Sequence, residues 1–120
     1  MSYSLDFELD ILPRINSADN VHWRVKAKER DTIDMLVRGR TLRKRPKKPL
    51  AKARVRLTRF SSSEPDTDNL AHSWKFVLDA LRACEIIFDD RPSVIGSPEF
   101  VWEKAAPKHG KIRIQVWEIV

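Results

Sequence analysis

The stretch from Pro65 to Asp90 constrains this chain most, because a helical hydrophobic pattern there is bounded by acidic residues at both ends. At about 100° per residue, one side of the predicted helix is apolar. Its members are Leu70, Trp74, Val77, Leu78, Leu81 and Cys84. The opposite side is polar and holds Asp68, His72, Lys75, Asp79 and Arg82. A helix that packs on a core and fixes clustered carboxylates suits a divalent-metal site, because hard cations need several oxygen ligands in fixed geometry.

Alternating patterns on either side of this stretch predict strands. Residues 3–12 alternate apolar and acidic side chains and end at Pro13, which a loop over Arg14–Asn20 follows. Residues 51–60 alternate too, and the pattern directs one set inward (Ala53, Val55 and Leu57) and a basic set outward (Lys52, Arg54 and Arg56). Period-two alternation of this kind is typical of half-buried strands.

The remaining segments predict one helix and two more strands. A helical pattern runs from His22 to about Arg38, with Gly39 as a helix stop. Strands are predicted near Val94–Lys104 and over Lys111–Val120, as an antiparallel hairpin around a tight connection with Pro107 and Gly110. In the last strand Ile112, Ile114, Val116 and Trp117 are predicted to be buried. The order β-α-β-α-β-β indicates one α+β domain over residues 1–120, with a mixed sheet and two helices.

The charge balance favours a polyanionic partner. The 120 residues include 23 Lys and Arg against 17 Asp and Glu, a net charge of +6 with a pI near 9.8. Nucleic acid is the first partner to consider and an anionic membrane the second. The N-terminus has no signal-peptide pattern and no apolar run approaches the length of a membrane span, so we expect a cytoplasmic protein. The single cysteine, Cys84, excludes an internal disulfide, and no Cys/His set has zinc spacing.

A basic loop at about residues 38–50 is the candidate DNA-binding segment. Seven cations fall within eleven positions without an intervening acid: Arg38, Arg40, Arg43, Lys44, Arg45, Lys47 and Lys48. Pro46 and Pro49 disfavour regular structure through its middle. Such a run is ordinarily a solvated loop, but it also makes an effective phosphate-binding segment with strongly salt-dependent affinity.

Each residue of the acidic stretch also has a structural explanation. Asp66 or Asp68 can act as a helix N-cap, and Asp89-Asp90 before Arg91-Pro92 can form a surface turn. Lys75 can pair with Asp79 one turn further on. Taken singly, these residues favour the structural explanation, and a D-x-D pattern alone is a weak signal.

The combination is more specific. The run PDTDNLAHSWKFVLDAL followed by FDD, within residues 64–94, resembles the RusA family of Holliday junction resolvases. The pattern of that family has D-x-D-N at a helix start, a lysine in the helix, D-A-L or D-G-L near its end and a D-D pair about ten residues later. One departure is that Ser61–Ser63 and Glu64 precede D-x-D here, where family members can carry arginines.

The resemblance implies an activity and a set of site residues. Asp66, Asp68 and Asp90 would bind Mg²⁺ (or Mn²⁺) and Lys75 would support cleavage, with Asp89 as the alternative to Asp90. The expected protein is a magnesium-dependent endodeoxyribonuclease, bacterial or phage-encoded. It would act as a homodimer that resolves four-way DNA junctions by paired nicks during recombination and repair.

Two other functions fit the same residues. One is a non-catalytic DNA- or RNA-binding protein whose acids only cap and turn the chain. The other is a metal nuclease of the same scaffold that cuts flaps or forks. The sequence indicates neither a nucleotide preference at the cut nor the number of metal ions.

Overall fold

The computed structural model describes residues 2–13 and 23–120, and of Asp68 and His72 only the backbone. Within these residues the strands are β1 (Ser4–Leu9), β2 (Ala53–Ser61), β3 (Glu99–Lys104) and β4 (Lys111–Glu118). The helices are α1 (Trp23–Thr41), α2 (Thr67–His72), α3 (Lys75–Ala83) and α4 (Pro92–Ile95). The predicted α+β class with a mixed sheet is confirmed. The predicted loop at Arg14–Asn20 and the helix start at His22 lie outside the described residues.

The sheet has the strand order β1-β4-β2-β3. β4 is antiparallel to both of its neighbours, whereas β2 and β3 are parallel. The predicted antiparallel hairpin of the last two strands is therefore wrong, because β3 and β4 lie on opposite sides of β2. The physical reason is the composition of β4, whose Ile112, Ile114 and Val116 are completely buried. A central position pairs the backbone of this apolar strand on both edges, and residues 105–110 are long enough to cross β2.

One face of the sheet forms the core with the helices. Ile114 stands at its centre, opposite Phe7 of β1 on one side and Leu57 of β2 on the other. The helices cover this face with buried apolar side chains: Ile33 and Val37 from α1, Val77 and Leu81 from α3, and Trp74 between α2 and α3. Ala53, Val55 and Leu57 point into the core as predicted, and so do Ile112 and Val116. Trp117 is only half-buried, because the alternation of the strand directs it to the other face, where it packs with Arg56.

The other face of the sheet carries charges that are paired across strands. Arg113 binds Asp6, and Lys111 Nζ lies 3.1 Å from a carboxylate oxygen of Glu8. Arg56 Nε donates to Glu99 at 2.7 Å, and its guanidinium also lies 5.5 Å from the Trp117 ring centroid. The predicted outward direction of Arg54 and Arg56 is confirmed. The positive charge on this face is largely offset by neighbouring carboxylates.

The single helix predicted within Pro65–Asp90 is instead two helices separated at Ser73–Trp74. The Ser73 hydroxyl donates to the carbonyl of Leu70 at 2.7 Å, and such back-bonding bends helices. The Trp74 amide then bonds to Ala71 rather than Leu70, and its φ of −92° and ψ of 0° lie at the edge of the helical region, towards the bridge region. The apolar side was predicted correctly, since Leu70, Trp74, Val77, Leu81 and Cys84 are buried and Leu78 is half-buried.

Two further predicted boundaries are wrong. α1 continues past Gly39 to Thr41 because Arg45 donates to the Arg38 carbonyl at 3.2 Å and so satisfies an acceptor of the last turn. The start of the predicted strand at Val94–Lys104 is replaced by α4. Pro92 at the first helical turn favours that helix, and Gly96, with φ of +60°, ends it.

We predict that Ile114→Ala lowers the free energy of unfolding by about 2–5 kcal/mol, because it removes buried methylene groups at the centre of the sheet and leaves a cavity. The neighbouring Gln115→Ala, on the opposite face, should change it by less than about 0.5 kcal/mol. Urea denaturation followed by circular dichroism measures both values. Equal losses in the two variants would contradict the assignment of the core face.

Candidate functional site

Asp66 occupies the N-cap position of α2 but does not cap the helix with its side chain. Its backbone carbonyl accepts the Leu70 amide at 2.8 Å, while the side chain makes no cap hydrogen bond. The residue is exposed, and it follows the C-terminal end of β2 through a short loop over residues 62–65. The structural explanation of Asp66 as a side-chain N-cap therefore fails. Its carboxylate lies near the positive end of the α2 dipole, which stabilises a negative charge there.

Asp89 and Asp90 differ in their partners. The Asp89 carboxylate accepts the Asp90 amide at 2.8 Å and lies 3.3 Å from Arg91 Nε and 3.6 Å from Arg82 Nη1. The amide of Asp90 lowers the pKa of the Asp89 carboxyl, and the charges of Arg91 and Arg82 add to that effect. Neither arginine pairs with Asp90 among the described ion pairs. Asp89 is thus a local structural acid, which leaves Asp90 as the better metal-ligand candidate of the two.

The two acidic groups follow opposite ends of β2. Asp66 comes after the last residue of that strand, whereas the Asp89-Asp90 pair follows Ile87, which bridges to Leu50 just before the first residue of β2. Nine residues of strand span about 26 Å, at about 3.3 Å per residue. The two acidic groups are therefore reached from points of the sheet that lie about one strand length apart.

A three-acid metal site stays a prediction. Carboxylate oxygens have the hard-donor chemistry that Mg²⁺ selects, and Asp66 and Asp90 both supply them. The side chain of Asp68 lies outside the described ones. Within the side chains that the structure describes, no group of three His, Cys, Asp or Glu residues is placed to hold a metal ion.

Lys75 is the first residue of α3 and is exposed. An ion pair with Asp79 was the structural role predicted for Lys75. Among the ion pairs of the described residues, none joins these two side chains. The break at Ser73–Trp74 also separates Lys75 from the helix that Asp66 begins. The ammonium group is thus available to an anionic ligand, and its distance from the acids is set by the angle between α2 and α3.

The seven cations of the basic segment are not equivalent. Arg38 and Arg40 belong to α1 rather than to a loop, which corrects the predicted loop boundary. Arg38 Nε donates to Asp34 at 2.7 Å, and Arg45 binds the end of α1 through Thr41 and the Arg38 carbonyl. The remaining five are exposed: Arg40, Arg43, Lys44, Lys47 and Lys48. These five are hereafter the exposed cation group, and two of them, Arg40 and Lys44, line a cavity with Asp6 and Glu8.

Arg59 is a site-adjacent residue that the sequence prediction missed. Only 6% of it is exposed, and its Nη1 donates to the Pro13 carbonyl at 2.7 Å. Burial lowers the pKa of the guanidinium, while the Glu29 carboxylate acts in the opposite direction. The period-two pattern that directs Val55 and Leu57 inward also directs Arg59 inward, so the signal was present. Arg59 anchors the chain at Pro13 to the end of β2 from which the loop to Asp66 departs.

Comparison with known proteins adds no identification: no protein-family model matches this chain, and no curated protein matches it. Of the helices in the described residues, none has both the length and the apolar composition needed to cross a membrane. The assignment of function therefore depends on the residues themselves.

We predict that Asp89→Asn lowers stability at pH 7 and that the difference from the unaltered protein disappears in acid. Because the folded-state pKa of Asp89 is below its ordinary value, its ionised form contributes stability above that ordinary value. The contribution is lost as the pH falls through the folded-state pKa. Thermal unfolding from pH 7 to pH 2 measures the change, with Asp79→Asn as the control that removes a carboxylate and keeps both arginine contacts of Asp89. A stability difference for Asp89→Asn that does not vary with pH would contradict this role.

Proposed function

We propose that this protein is a magnesium-dependent endonuclease that cuts four-way DNA junctions. The main support for the proposal is the Asp66 carboxylate, which stands at the start of α2 without a cap hydrogen bond. It lies within a run that resembles the RusA pattern. Because this carboxylate makes no cap hydrogen bond, its oxygens are available to a metal ion. The engagement of Asp89 by two arginines supports the choice of Asp90 as a further ligand.

The proposed division of roles follows from the chemistry of phosphodiester hydrolysis. When bound, Mg²⁺ supplies a water of lowered pKa and neutralises charge on the phosphate. Asp66, Asp68 and Asp90 would hold the ion through carboxylate oxygens. The exposed ammonium of Lys75 would contact the scissile phosphate or the attacking water, and so would offset the negative charge that the three acids bring to the site.

DNA binding is proposed for the exposed cation group. From Met35 to Ser63 the chain has eleven Lys and Arg residues and no Asp or Glu. On the open face of the sheet, cations are paired with carboxylates, and Arg40 and Lys44 line a cavity together with Asp6 and Glu8. Arg43, Lys47 and Lys48 do not line that cavity, so phosphate would bind most strongly along residues 43–48.

Paired nicking requires two active sites. A four-way junction has two-fold symmetry, so a symmetric homodimer would present one site to each of two opposing strands. We include the homodimer in the proposal because the reaction demands it.

A second candidate is a nucleic-acid-binding protein without catalytic activity. The placement of Asp66 and of Asp89-Asp90 after opposite ends of β2 favours it, because a shared metal ion requires the carboxylates to meet. A metal nuclease that acts on flaps or forks is the third candidate, and it shares every residue of the first.

Cleavage assays with and without Mg²⁺ on a synthetic four-way junction, a fork and a linear duplex separate the three functions. We expect paired nicks in the junction only with Mg²⁺. Asp66→Asn and Asp90→Asn should abolish them while junction binding persists, because removing negative charge weakens the repulsion of phosphate. In single turnover, Lys75→Ala should slow cleavage at least about tenfold, or about 1.4 kcal/mol in the barrier.

Asp79→Asn is the control for these variants, because it removes a carboxylate from the same polar side of the helices without touching the proposed site. Preferential cutting of the fork would identify the third function. Binding without any cleavage would support the second and contradict the proposal. Full activity in Asp66→Asn would remove that residue from the site.

We predict that replacing Arg43, Lys47 and Lys48 together by Ala weakens binding to junction and duplex alike. All three are exposed. Each lost phosphate contact should reduce the slope of log affinity against log salt by about 0.9, so the slope should fall by up to about 2.7. Fluorescence anisotropy at several salt concentrations, in EDTA, measures the slope.

A variant with the same loss of charge provides the control. Replacing Arg30, Lys104 and Lys108 by Ala removes three exposed cations that lie outside the segment. Its salt slope should stay close to that of the unaltered protein. Equal slopes in the two triple variants would show that only net charge matters and would contradict a local DNA-binding segment.

A further inference from the structure

Phe88 is an exposed aromatic residue held in a fixed position. Its two predecessors, Ile86 and Ile87, are completely buried, whereas 57% of Phe88 is exposed. The Phe88 amide donates to the Leu50 carbonyl at 3.0 Å, beside the bridge between Leu50 and Ile87. The backbone is therefore anchored on both sides of the bridge while the ring projects into solvent. Core packing does not explain a large apolar side chain in this position.

Arg91 orients the ring. Its guanidinium carbon lies 5.7 Å from the centroid of the Phe88 ring, and its Nε lies 3.3 Å from a carboxylate oxygen of Asp89. The carboxylate fixes the guanidinium, and the guanidinium in turn packs on the ring. The ring is thus pre-oriented, so a ligand that stacks on it would lose little conformational entropy on the protein side.

The ring lies at the same end of the molecule as part of the exposed cation group. Lys48 and Lys47 stand two and three residues before Leu50, whose carbonyl binds the Phe88 amide. Since consecutive Cα atoms are 3.8 Å apart, the Cα of Lys48 lies within about 7.6 Å of that of Leu50. Both lysines are exposed. Exposed lysines in the segment that pairs with the backbone of Phe88 combine positive charge for a nucleic-acid backbone with an aromatic face for an unpaired base.

We propose that Phe88 stacks on an unpaired base of DNA whose backbone is held by Lys47 and Lys48. The inference rests on the proposed DNA binding, but it needs neither a metal ion nor cleavage. Bases in linear duplex are already stacked on their neighbours, whereas a branch point or a single strand exposes them. Phe88 therefore discriminates branched or single-stranded DNA from duplex, a selectivity that phosphate contacts alone do not provide.

The test is DNA binding in EDTA by the full chain with Phe88→Ala, Phe88→Leu and Phe88→Trp. The probes are a single-stranded oligonucleotide, a junction with an unpaired 2-aminopurine at the branch point, and a linear duplex. We expect Phe88→Ala to weaken binding to the first two by about tenfold and to leave duplex binding unchanged. Phe88→Leu keeps apolar volume without a ring and should lose as much, whereas Phe88→Trp should retain affinity and quench the 2-aminopurine fluorescence.

The salt dependence separates stacking from a charge effect. Phe88→Ala should shift the plot of log affinity against log salt without changing its slope, because no phosphate contact is lost. The control is Met35→Ala, which truncates a side chain that is 63% exposed on α1, and it should bind every probe as the unaltered protein does.

Two results would overturn the inference and leave the proposed function standing. One is an equal loss of affinity for duplex and single strand in Phe88→Ala. The other is unchanged affinity in that variant, with or without a changed oligomeric state. A changed oligomeric state would mean that a second copy of the chain covers the ring. Failure of the unaltered protein to bind any DNA would instead overturn both proposals.

Discussion

The structure depends on the two hydrogen-bonded ladders of β4, which pairs with β1 on one edge and with β2 on the other. Its buried isoleucines form the centre of the core, so the hydrophobic effect and backbone pairing both favour a central position for β4. This arrangement makes β2 an inner strand with β3 parallel to it. The position of β2 then fixes where Asp66 leaves the sheet and where Ile87, ahead of Asp89, returns to it. The positions of both acidic groups therefore follow from the packing of the strands that precede them.

The distribution of positive charge is the second organising feature. The acid-free run from Met35 to Ser63 crosses three environments. On the sheet, Arg56 is paired with Glu99; at the end of β2, Arg59 is buried against the Pro13 carbonyl; the five members of the exposed cation group are exposed. Sequence charge alone treats these residues alike, and only the fold separates those that hold the protein together from those that are available to a polyanion.

Periodicity predicted the strands β1, β2 and β4 and the apolar side of α2 and α3, because each of these faces is defined by local spacing. It did not predict the strand order, because the choice between a β3–β4 hairpin and a central β4 depends on which strand gains most from burial on both sides. The break at Ser73 arises from one hydroxyl that competes for the Leu70 carbonyl, which a hydrophobic pattern does not register. For the candidate site, the sequence named the acids, but Arg82 and Arg91, which distinguish Asp89 from Asp90, are identified only by their distances.

The proposed metal site requires the carboxylates of Asp66 and Asp90 to meet, although the two residues follow opposite ends of β2. Titration of ¹⁵N-labelled protein with Mn²⁺, followed by paramagnetic broadening of backbone amide signals, tests it directly. If the three aspartates share one metal ion, the amide signals of Asp66, Asp68 and Asp90 should broaden together at the same low Mn²⁺ concentration. Asp66→Asn should abolish the broadening of all three signals. Broadening confined to Asp89 and Asp90, or unaffected by Asp66→Asn, would contradict a shared site.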